Sequence, residues 1–151
     1  MIVGRLDSRA PPELVFDQRL GSVFVARIAG NFVDTDIIGS LEFATRLAGA
    51  GPVMVLGRSE RAAVRGAIDN VQLGNLTAAL SNIRPAVEAT TGIAGERSSK
   101  NRAFVQAVAE TNARLAARMR LERSSTMAGR VDAGSLKVAA AMHDIGTGRG
   151  G

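Results

Sequence analysis

The densest chemistry in this chain lies in four consecutive residues, Arg58, Ser59, Glu60 and Arg61. They stand between an apolar run, VMVLG at residues 53–57, and an alanine-rich stretch that starts at Ala62. Two guanidinium groups beside a helix start favour an anion, because forked N–H donors and the helix dipole both attract negative charge. The turn offers no ligand set for a metal. A second group, Asp7, Ser8 and Arg9, follows the apolar segment 1–6, in which Arg5 is the only charge. Asp7 is a candidate general base. Neither Ser8 nor Ser59 has a histidine near it in the chain, which argues against a serine nucleophile. The sole histidine, His143, reads as structural rather than catalytic.

These residues need elements to hold them. Residues 1–6 and 53–57 read as short buried strands, and residues 21–30 (GSVFVARIAG) as a third, rich in β-branched side chains without clean alternation. Pro11, Pro12 and Glu13 start a short helix through Phe16. Asp34 or Thr35 caps a helix with Ile37, Ile38, Leu41, Phe43, Ala44 and Leu47 on one side, stopping at the glycines of residues 49–51. The helix after the central strand extends from Ala62 to about Val71. A break at Gly74 and Asn75 precedes one amphipathic helix carrying Leu76, Ala79, Leu80, Ile83 and Val87. Residues 92–99 form a loop, and a long helix spans 100–123, with Ser124 and Ser125 ending it. Its Arg114, Arg118 and Arg123 read as a solvated face beside Glu110 and Glu122. Residues 134–142 form a late strand, placed at a sheet edge. Strands alternating with helices predict an α/β fold with a mostly parallel central sheet of four to five strands flanked by helices.

The length of 151 residues fits one domain, residues 1–151, with no linker or repeat dividing it. The absence of cysteine excludes disulfides, thiolate ligands and thiol chemistry. A net charge of +5 raises the question of nucleic acid. Only five aromatic residues, all Phe, and basic residues scattered among acidic ones argue against it. No apolar run nears the ~20 residues of a membrane helix, and no leader pattern opens the chain. The sequence therefore predicts a cytoplasmic protein with no membrane partner. Gly146-Thr147-Gly148 follows a strand with no helix after it, which argues against a phosphate loop.

In order along the chain, several segments resemble the beta-class carbonic anhydrases. Asp7-Ser8-Arg9 is similar to the end of that family's Cys-x-Asp-Ser-Arg motif. Phe24-Val25-Ala26-Arg27-Ile28-Ala29-Gly30-Asn31 resembles its second strand and turn, and Ser40-Leu41-Glu42-Phe43-Ala44 its Ser-Leu-Glu-Tyr-Ala helix. Val55-Leu56-Gly57 leads into the place of His-Ser-x-Cys-Gly. The closing stretch, Gly134-Ser135-Leu136-Lys137-Val138 and then His143-Asp144-Ile145-Gly146-Thr147-Gly148, looks like the family's last strand and Tyr-Asp-Leu-x-Thr-Gly turn. The resemblance implies a homodimer built along the sheet edge. It also implies an N-terminal helical arm, which the domain 1–151 is expected to lack.

The resemblance places zinc ligands where this chain has Arg5, Arg58 and Arg61. Arginine stays cationic and cannot ligate zinc. Arg19 is a further departure, where the resemblance leads one to expect a small residue or glutamine near the pocket, and Ala62 replaces a glycine. Without the metal that lowers the pKa of bound water to roughly 7, carbonic anhydrase activity is not expected. The dyad Asp7 and Arg9 is retained with nothing to act on, and no cofactor is expected. Two guanidinium charges ~5 Å apart at an effective dielectric of ~20 repel by about 3 kcal/mol. The cluster must therefore recruit an anion or turn to solvent. The first alternative is an anion site of Arg5, Arg58, Arg61, Arg19 and Ser59 for phosphate, sulfate, bicarbonate or a phosphometabolite. The others are a structural or regulatory subunit pairing with itself or a paralogue, and a metal-free enzyme using Asp7 on an anionic substrate.

Overall fold

A computed structural model describes residues 1–6, 11–32, 34–58 and 62–143, with the backbone alone at residues 5, 31, 57, 58 and 143. Four strands, β1 (Ile2–Arg5), β2 (Val25–Ile28), β3 (Val53–Arg58) and β4 (Val138–His143), form one sheet in the order β2-β1-β3-β4. All three pairings are parallel. The helices are α1 (Pro12–Val15), α2 (Thr35–Glu42), α3 (Ala62–Ile68), α4 (Gly74–Ser81), α5 (Arg84–Ala89), α6 (Arg102–Glu122) and α7 (Ser125–Asp132). Parallel neighbours cannot be joined by hairpins, so each connection crosses over through helix, as the alternating sequence pattern predicts.

The central strands β1 and β3 bury Val3, Val53 and Val55 completely. Against them lie Leu41 of α2, Met127 of α7 and Leu136, while Ile38 of α2 and Ala116 of α6 close over Val55. Asp34 caps α2, its carboxylate accepting from the Ile37 N–H at 2.7 Å. A second cluster joins Val64 and Ala67 of α3 and Leu80 of α4 to Ile83, Ala86 of α5 and Phe104, Val105 and Val108 of α6. Asn101 caps α6 by accepting from the Phe104 N–H. Burying Phe104, Val108, Asn112, Ala116 and Arg120 on one stripe, α6 lies along β3 and β4. Among the described residues no helix is long and apolar enough to cross a membrane.

Several boundaries differ from expectation, each for a local reason. Only Val25–Ile28 of the predicted strand 21–30 pairs, because β1 offers a partner of four residues. The predicted helix from Leu76 to Val87 is two helices, α4 and α5. Pro85 lies in the first turn of α5, where its missing N–H costs no bond, whereas inside a continuous helix it would. Gly74, taken as a break, is the first residue of α4. Ser124 ends the long helix as expected but also starts α7: its hydroxyl accepts from the Met127 N–H at 3.1 Å and donates to Glu42 Oε1 at 2.6 Å. The late strand takes the edge beside β3, as predicted.

The arginine face of α6 is partly as expected, with Arg118 and Glu122 pairing on the surface at 2.6 Å. Arg120 is different, being fully buried. It donates from Nη2 to the Phe32 carbonyl at 3.4 Å, and burial pushes its pKa down to about 10 against a smaller opposing pull from Asp34. A base depressed in the folded state costs stability wherever it is charged. That cost is full below about 10 and is relieved as pH rises beyond it toward the ordinary guanidinium range. In urea unfolding the wild type is therefore expected to gain stability from this group as pH climbs above about 10, a gain that Arg120→Met, with nothing to titrate there, should lack. An equal pH dependence in the two proteins would show that burial of the guanidinium carries no such cost.

Candidate functional site

The strand order fixes where a site can form. From β1 the chain turns to one neighbour, β2, then crosses to the other side of β1 to make β3. The strand order thus reverses at β1 and β3, and the carboxyl ends of the strands at such a point are where open parallel sheets bind ligands, the crevice considered below. Arg5 is the last residue of β1 and Arg58 the last of β3. Val3 pairs with Val55, and continuing that register brings Arg5 level with Gly57, one residue before Arg58. Arg5 and Arg58 thus end neighbouring strands, one register step apart.

The flanking strands end at the same level. Arg5 pairs with Ile28 of β2, and Arg58 pairs with His143 of β4, so the chain's one histidine ends the strand next to Arg58. The Leu6 N–H donates to the Ile28 carbonyl at 3.3 Å, tying the exit of β1 to β2. Asp7, Ser8, Arg9, Ser59, Glu60 and Arg61 lie outside the described residues, as do the glycines of residues 146–148. In the sequence they follow β1, β3 and β4. Arg19 occupies an exposed turn on the way into β2, where its carbonyl accepts from both the N–H and the hydroxyl of Ser22. Among the described residues no three His, Cys, Asp or Glu side chains group as a metal site would require.

The wall beyond β2 involves a residue the sequence reading did not single out. The turn Ala29–Asn31 follows β2 immediately, with Gly30 in the left-handed region at φ 76°. A Cβ at Gly30 would meet Ile83 Cδ1 at 2.5 Å, so only glycine lets the turn sit against the head of α5. Asn112 of α6, itself buried, donates from Nδ2 to the Gly30 carbonyl at 2.7 Å. The available signal was a polar amide within the apolar stripe of Val108 and Ala116; its partner lies 82 residues away.

Comparison with known proteins agrees with this architecture. The family described as carbonic anhydrase matches residues 1–150. Carbonic anhydrase 2 of Mycobacterium tuberculosis is 34% identical over 154 residues, which cover 99% of this chain and 71% of that protein. Among solved structures, tetrameric beta-carbonic anhydrases from Sordaria macrospora superpose with a TM-score of 0.83 at 23% identity, covering 99% of this chain and 78% of that one. A beta-carbonic anhydrase of Aspergillus fumigatus gives 0.82 at 23% identity, covering 99% and 73%.

Proposed function

Given that the chain belongs to the carbonic anhydrase family and has the fold of its beta class, we propose that it is a zinc-less member that binds a small anion. The observation that supports this reading is that Arg5 and Arg58 are the last residues of the two central strands. Zinc asks for thiolate, neutral imidazole or carboxylate. The chain has no cysteine, and the positions that the resemblance assigns to ligands carry Arg5, Arg58 and Arg61. Guanidinium groups donate hydrogen bonds and remain charged, so this donor set suits a carboxylate, phosphate, sulfate or bicarbonate and not a metal. Without a metal-bound hydroxide the chain has no nucleophile for hydrating CO2. Titration with an anion panel, read by thermal unfolding, tests the reading; a protein indifferent to every anion would refute it.

Self-association is a second reading, favoured by apolar surface beside an edge strand. Phe24 and Phe43 are exposed where a groove runs between the amino end of β2 and α2, and Leu47 is exposed one turn beyond. Closing such a surface against a second copy would remove apolar area from water at roughly 25 cal/mol per Å². Light scattering is expected to report a dimer or larger for the wild type and a monomer for Phe43→Glu. A monomeric wild type would eliminate this reading.

A further inference from the structure

Five polar or charged side chains are buried among the described residues: Thr45, Thr90, Asn112, Arg120 and Ser124. Thr45 and Thr90 bond back to carbonyls four residues earlier, and Ser124 caps its own helix. Asn112 has no such local purpose. Asparagine is a mediocre helix former, and this one lies mid-helix with its amide directed across the fold to the Gly30 carbonyl. That carbonyl is buried with its residue, so the bond satisfies an acceptor that water does not reach.

Gly30 follows Ile28 by two residues, and Ile28 is bonded to the exit of β1: its carbonyl accepts from the Leu6 N–H, and its backbone pairs with Arg5. Ile83 lies against the Cα of Gly30 and Asn112 bonds its carbonyl, so both α5 and α6 restrain the turn after β2. A shift of Gly30 toward α6 or away from it would carry Ile28, and with it the end of β1.

We infer that Asn112 is a positioning residue for the crevice, fixing through the Gly30 turn the place at which β1 delivers Arg5. The inference rests on the anion-site reading for its functional consequence, while its structural step stands alone. Asn112 touches no ligand in this scheme and acts only by setting backbone.

Two measurements test it. In the protein without added anion, amide exchange of Leu6 is expected to accelerate in Asn112→Ala by more than exchange of Val55 in β3 does. Equal acceleration, or none at Leu6, overturns the inference whatever the protein binds. With inorganic phosphate as probe, Asn112→Ala is expected to weaken binding about tenfold, as loss of an outer support does. The same loss should appear in an Arg58→Ala background and vanish in Arg5→Ala. Loss that persists in Arg5→Ala overturns the inference and leaves the anion site standing. Absence of phosphate binding in the wild type would instead count against the anion reading, and the exchange comparison would then decide the positioning role. If Asn112→Ala does not fold, Asn112→Ser, which retains a shorter donor, serves in both arms with smaller changes of the same sign.

Discussion

Phosphate, sulfate or bicarbonate is expected to raise the melting temperature of the wild-type chain, and Arg58→Ala combined with Arg61→Ala to erase the rise. At a concentration one hundred times the dissociation constant, a ligand that binds only the folded state contributes about 2.7 kcal/mol. For a chain of this size that corresponds to roughly 5–10 °C. The experiment belongs at constant ionic strength, because salt at ~0.1 M screens exposed charges beyond ~10 Å and would imitate a specific anion. The anion-free baseline is equally informative. If the arginines converge, removing two relieves repulsion of about 3 kcal/mol per close pair, and the variant melts above the anion-free wild type. If they face water, removal leaves the baseline within about 0.5 kcal/mol, as for most surface substitutions. An unchanged baseline together with no anion shift would reduce the arginines to solvated surface.

The frame that makes this test possible was largely legible in the chain. The apolar runs that end at Arg5 and Arg58 could be read as strands because both faces of a central parallel strand are covered, which leaves an unbroken hydrophobic signature. The Asp34 cap and the edge position of β4 followed from equally local signals. The misreadings share a cause. Hydrophobic spacing from Leu76 to Val87 keeps one helical phase across two helices, and only Pro85 betrays the new start. Ser124 gives one signal for two events, since the residue that follows one helix is also the cap of the next. Asn112 and Arg120 were beyond local reading altogether. A polar residue on an apolar stripe declares a partner without naming it, and these partners, Gly30 and Phe32, are 82 and 88 residues away.

Arg5→Cys, Arg58→His and Arg61→Cys, introduced together, are expected to make the chain bind one zinc ion. The resemblance places thiolate, imidazole and thiolate at these positions, and zinc holds its ligands at about 2.3 Å for sulfur and 2.0–2.1 Å for nitrogen. Three such ligands can meet one ion only if their backbone positions already converge. Affinity thus reports the geometry of the loops after β1 and β3. If the three arginines converge, the exchange also removes their mutual repulsion. Binding at about micromolar or tighter is expected, well short of the 10–16 kcal/mol of structural sites because one coordination position stays open. Metal analysis after a chelator challenge reads the stoichiometry, and thermal unfolding with and without chelator reads the coupling to folding. The wild type, treated identically, should retain no zinc. On the zinc-less reading, carbon dioxide hydration should appear only in the loaded variant, where a bound water whose pKa falls to about 7 supplies hydroxide. A folded triple variant that takes up no zinc would show that the three positions do not converge. One zinc per wild-type chain would end the reading of this protein as a member without its metal.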